Sequence, residues 1–156
     1  MLTGCQFIHG NSTIQNSDKY IDLCEVLLNH KDFLDKSEFF DVSYDITKID
    51  DGYRFYVIID NPKIAMYNIE AIALEKGFDY KNKMAANIGV FEDEGYNIVP
   101  NQINVERRYV KGINISGVSQ NRNTILYLLV QWNNKDFSTT SREFIKINTQ
   151  GELDNE

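Results

Sequence analysis

Two hydrophobic periods divide this chain. After Ser17 or Asp18, either of which can cap a helix, apolar residues recur at Tyr20, Ile21, Cys24, Leu27 and Leu28. That spacing gathers them on one helical face, with Asp22, Glu25 and Asn29 on the other, and predicts a helix over 18–29. A second short helical turn is expected around Phe33 and Leu34. From Asp41 the period becomes two: Val42, Tyr44 and Ile46 alternate with Ser43, Asp45 and Thr47, the signature of a half-buried strand. Asp50-Asp51-Gly52 reads as a hairpin turn, with Gly52 free to take a positive φ, and the return strand runs from Tyr53 to Ile59.

Further strands follow. Ile64 to Glu75 carries a pattern that fits either element, and its β-branched content favours strand over helix. Ala86–Phe91 and Tyr96–Val99 are expected to form a hairpin across the acidic turn Glu92-Asp93-Glu94-Gly95. Arg108–Ser116 is another strand, and Glu143–Ile147 closes the series. Thr124–Trp132 stands out because Leu126, Leu128, Val130 and Trp132 line one face while Ile125, Tyr127 and Leu129 line the other. A strand apolar on both faces belongs at the centre of a sheet covered on both sides.

Seven or eight short strands after a lone helix predict a mainly β protein, an immunoglobulin-like antiparallel β-sandwich preceded by one N-terminal helix. The alternative is an α+β layout in which one curved antiparallel sheet packs on the helix. At 156 residues the chain is one domain's worth, divided here into a start and polar tether over 1–17, a single β-rich domain over 18–150 and a frayed tail over 151–156. No disulfide-and-tryptophan pin of the antibody type is expected.

Charge and codon usage narrow the function and the source. The net charge of −7 argues against a phosphate-binding nucleic-acid protein, and the negative excess lies wholly within residues 1–100. Dense acidic runs at Asp50-Asp51 and Glu92-Asp93-Glu94 are therefore candidate contacts for a basic partner. High Ile, Asn, Lys, Tyr and Phe usage, all with AT-rich codons, suggests a low-GC bacterium.

The start of the chain, Leu2-Thr3-Gly4-Cys5, resembles the lipobox of bacterial lipoproteins, in which the cysteine thiol takes a diacylglyceryl group. The resemblance covers four residues. It implies lipidation of Cys5, extracytoplasmic attachment to the cell membrane, and a precursor with a charged segment and an apolar stretch ahead of Met1. Gly10, Asn11, Ser12, Thr13, Gln15, Asn16 and Ser17 fit a polar tether. Cys24, within the helical apolar pattern, is expected to be a core thiol.

Catalytic chemistry finds few candidates. His9 falls in the tether and His30 at a helix end, and with the two cysteines they make no zinc spacing. No nucleophile elbow or phosphate-cradling glycine loop occurs, and no cofactor or metal is expected. Arg107-Arg108 beside Tyr109 reads as strand-edge charge. The expected function is a non-enzymatic, lipid-anchored binding domain for a protein or envelope component, not for nucleic acid. The alternatives are an acidic immunity protein that inhibits a toxin, which a cytoplasmic location would also suit, and an enzyme with a carboxylate-based site.

Overall fold

A computed structural model describes residues 17–150, and the lipobox-like start, His9 and the tail lie outside the described residues. Helix α1 occupies residues 17–29. The strands are β1 (Asp41–Ile49), β2 (Gly52–Asp60), β3 (Met66–Glu75), β4 (Ala86–Ile88), β5 (Tyr96–Ile98), β6 (Gly112–Ser119), β7 (Ile125–Asn133) and β8 (Thr140–Asn148). They form two antiparallel sheets, β1-β2-β6 and β4-β3-β7-β8, with β5 also paired to β3. Over the described residues the protein is a β-sandwich preceded by one helix.

Strands β4 and β5 pair along β3 in the same direction, Ala73 with Ala86, Ala71 with Ile88, Ile69 with Tyr96 and Met66 with Ile98. They are therefore two halves of one interrupted edge strand. Counted as one, the seven strands fall into sheets of first-second-fifth and fourth-third-sixth-seventh. This is the immunoglobulin arrangement with the fourth strand moved to the opposite sheet. The expected hairpin at Glu92-Asp93-Glu94 is corrected accordingly: the segment between β4 and β5 is an excursion from one strand. Gly89 shows why it leaves the ladder, since its φ is +81° and a Cβ there would stand 2.1 Å from the Ile69 carbonyl oxygen.

Strand β7 lies between β3 and β8, as its two apolar faces require. Leu126, Leu128, Val130 and Trp132 pack between the sheets with Phe55, Val57 and Ile59 of β2 and Ile113 and Ile115 of β6. The opposite face of the larger sheet presents Ile72, Leu74 and Leu129, and α1 covers these with Tyr20, Leu23, Cys24 and Leu27. The result is three layers, helix on sheet on sheet. Trp132 is buried, with its ring edge-on to Phe40 at 5.8 Å.

The helix also brings charge. Lys19 Nζ donates to the buried Glu70 Oε1 at 2.6 Å, and Gln131 Nε2 donates to Glu70 Oε2 at 3.1 Å. Arg142 in turn donates from Nε and Nη2 to Gln131 Oε1. A buried carboxylate with both oxygens satisfied escapes the penalty of an unpaired charge and fixes where α1 sits on the sheet.

Two local expectations change. Leu34 is not helical: its N–H donates to Phe144 O and its carbonyl accepts from Lys146, so the segment after α1 covers the edge of β8 in parallel register. Residues 66–75 are strand, as β-branching indicated, and the strand expected over Arg108–Ser116 begins instead at Gly112.

Cys24 is a buried free thiol, as expected. Burial pushes it from an ordinary 9.0 up to about 11, and burial likewise lifts the neighbouring Tyr20 phenol from 10.0 to about 12. Both protons leave the unfolded chain first. Their contribution to stability is thus complete below the ordinary values and is lost as pH rises through the folded ones. In a Cys5→Ser background, the urea midpoint should fall between pH 9 and pH 11, and less steeply in Cys24→Ala. The native thiol should resist maleimide at neutral pH until denaturant is added. An unchanged pH slope in Cys24→Ala would contradict this reading.

Candidate functional site at one end of the sandwich

The β2–β3, β5–β6 and β7–β8 connections share one end of the sandwich, because Asp60 pairs with Gly112 and Tyr67 with Asn133. Among the described residues, five non-glycine positions have φ in the left-handed region: Asn61 (47°), Asn68 (50°), Asn101 (63°), Arg108 (59°) and Phe137 (60°). All five stand at this end. Asparagine tolerates that conformation through local hydrogen bonding, but Arg108 and Phe137 adopt it at a cost of about 1–2 kcal/mol per residue for backbone of this hand. Such residues concentrate where the surrounding structure holds a surface in one fixed shape.

The long connection before β6 is built as a closed loop. Gln102 N–H donates to Val99 O at 3.2 Å, and Asn104 and Tyr109 exchange backbone bonds at 2.8 and 2.9 Å. Asn104 also caps a single 3-10 turn, Val105–Arg107, by accepting from Arg107 N. Asn97 then clamps the far side, donating its N–H to Arg108 O and accepting from Val110. On this fixed frame Ile103 and Val105 are left 64% and 72% exposed. Exposed branched side chains on an internally bonded loop are the unusual feature, since scattered exposed apolar residues are ordinary.

Three clefts of about 460, 410 and 360 Å³ run across this end. The first lies between the Asp60–Pro62 turn and Val99–Ile103, with Val110 and Lys111 also lining it. The second shares Asn101, Gln102 and Ile103 with the first and adds Asn104, Arg107 and Tyr109. The third shares Arg107 and reaches Asn68, Asp93, Glu94 and Phe137. Asn61 is held at the rim by its bond to Asp41 Oδ2 at 2.7 Å; that bond, with Lys63, keeps the Asp41 carboxyl below the usual carboxylate range.

The acidic residues singled out from sequence are dispersed by the fold. Asp50 and Asp51 form the β1–β2 turn at the opposite end, where Asp51 O accepts from Gln120 Nε2. Glu92, Asp93 and Glu94 sit on the excursion beside the clefts, and two of the three engage Arg108. Its Nη1 donates to Glu92 Oε2 at 2.8 Å and to the Glu94 carbonyl at 2.7 Å, while Nε lies 3.9 Å from Glu94 Oε2. The guanidinium also lies over the Tyr96 ring at 4.9 Å, and the Glu92 bond holds it more firmly in its charged form. Arg107-Arg108 is thus no strand-edge charge, because both residues belong to the loop rather than to β6.

Cys5 lies outside the described residues. His30 is packed face to face on Phe144 at 3.7 Å with Nε2 against the Asp32 carbonyl, which is a structural setting. Among the described residues no group of three or more His, Cys, Asp or Glu is placed to hold a metal ion, and no helix is long and apolar enough to cross a membrane. Asparagine-rich loop positions are a sequence signal for left-handed backbone and could have pointed to Asn61, Asn68 and Asn101. No such backbone signal attaches to Phe137 or to Arg108, which the sequence marks only as one of a basic pair beside Tyr109. No protein-family model, curated protein or solved structure matches this chain.

The geometry of the excursion depends on Gly89 and on Arg108, for different reasons. Gly89→Ala should cost more than about 2 kcal/mol in an equilibrium unfolding experiment, because the new Cβ meets backbone that cannot yield. Arg108→Ala should leave the fold intact but open the excursion to limited proteolysis within 92–97. Arg108→Ala and wild type cut at equal rates would show that the ion pairs do not hold the loop.

Proposed function

We propose that this chain is a non-enzymatic recognition domain working outside the cytoplasm, held to the membrane by lipid on Cys5, and that it meets its partner through the β2–β3, β5–β6 and β7–β8 loop end. The observation that carries the reading is the gathering of all five left-handed non-glycine residues around three contiguous clefts. Strain is retained there because the rest of the sandwich over-determines the loops, and a rigid surface loses less entropy on binding. By fold-level analogy alone, antibody variable domains also bind through the second-to-third and sixth-to-seventh strand connections of this end.

The anchoring part rests on the lipobox-like Leu2-Thr3-Gly4-Cys5 and the polar residues that follow it. A diacylglyceryl group supplies two acyl chains, enough for stable attachment where one chain is marginal. The immunity-protein reading stands second. It relies on free acidic groups meeting a basic toxin, and Glu92 and Glu94 are engaged by Arg108.

A photo-crosslinking residue placed at Gln102, expressed with the full precursor in a low-GC host, should capture an envelope component. The same residue at Gln120, at the opposite end, should not. Labelled fatty acid should appear on the wild-type chain and be lost in Cys5→Ala. Capture from Gln120 alone would place recognition at the wrong end, and unlabelled wild-type protein would remove the anchor.

A further inference from the structure

We infer that the loop-end clefts take an uncharged oligosaccharide, which rests on the recognition reading above and names the ligand for it. The first ground is hydrogen-bonding chemistry. Asn101 and Gln102 line two adjoining clefts, and neither amide side chain has a partner among the described residues. Asn68, at the third cleft, is likewise without a side-chain hydrogen bond. A side-chain amide offers donors and an acceptor together, and a sugar hydroxyl is itself donor and acceptor, so the two satisfy each other in either sense.

Charge supplies the second ground. The cationic groups along the clefts, Arg107, Arg108 and Lys111, are balanced by Asp60, Asp93 and Glu94. A phosphate or nucleic-acid strand needs an excess of positive charge that is missing here. Equally, a polybasic ligand would meet Arg107 and Lys111. The neutral balance suits a ligand recognised by shape and hydroxyl bonding.

The third ground is apolar. Tyr109 lines the second cleft and Phe137, 59% exposed, lines the third, so aromatic surface borders the run of amides. The C–H face of a pyranose ring packs against such surface while its hydroxyls reach the amides. Ile103, shared by the first two clefts, adds branched apolar surface between them. Three consecutive clefts fit a chain of repeating rings better than one compact small molecule.

The experiment is a two-dimensional amide NMR titration of the full chain with three neutral tetrasaccharides at millimolar concentration: β-1,4-linked N-acetylglucosamine, β-1,4-linked glucose and α-1,4-linked glucose. At least one should shift Asn101, Gln102, Tyr109 and Phe137 in a saturable manner and leave Asp51 and Gln120 unmoved. Gln102→Ala, and Asn101→Gly, which keeps the left-handed backbone, should each weaken that binding by about three- to tenfold without changing thermal stability. No saturable shift with any of the three overturns the oligosaccharide assignment. If crosslinking at Gln102 still captures a protein, the loop-end reading survives with a protein as occupant. Saturable shifts confined to another surface overturn both.

Discussion

Strands β3 and β7 are apolar on both faces, and the whole molecule is arranged to cover them twice. Their inner faces meet the β1-β2-β6 sheet and their outer faces meet α1. A two-layer sandwich with one solvated outer face would leave Ile72, Leu74 and Leu129 in water, at roughly 1.5–3 kcal/mol for each side chain denied burial. The helix is therefore a structural layer. Its seat is fixed by the Lys19–Glu70–Gln131 network, which only the correct placement of α1 satisfies.

Rigidity at the centre is what permits strain at the end. The loop before β3 runs into that double-covered frame, the loop before β8 leaves it from β7, and the loop before β6 leaves β5, which pairs with β3, so their backbones hold conformations that free chains would avoid. Arg108 links the frame to the excursion beside it, spending its charge on Glu92 and Glu94 within the molecule. The acidity of the chain as a whole thus says little about the sign of this surface, where acids and bases are nearly matched.

Much of the frame was legible in the residues themselves. The helical spacing from Tyr20 to Leu28, the alternation from Val42, and the doubly apolar run at Leu126–Trp132 correspond to α1, β1 and β7, because burial enforces periodicity. The acidic excursion was misread as a hairpin. A turn signal such as Glu94-Gly95 reports a local reversal and carries no information on whether the flanking segments pair with each other or with a third strand. Leu34 was misread because an isolated bridge to Ile145 leaves no period at all. The loop-end site was the least legible part, since its residues come from β2–β3, β5–β6 and β7–β8 and are neighbours only through the strand order.

This end of the sandwich is a preorganised surface held by the frame. Amide hydrogen exchange of the ligand-free chain reports on that preorganisation residue by residue. Asn104, Tyr109 and Val110, whose N–H groups are bonded within the loop assembly, should be protected at a level approaching that of the β6 and β7 ladders. Exchange at these three amides at the rate of an unstructured chain, with β6 and β7 still protected, would show that the frame does not hold these loops in one shape.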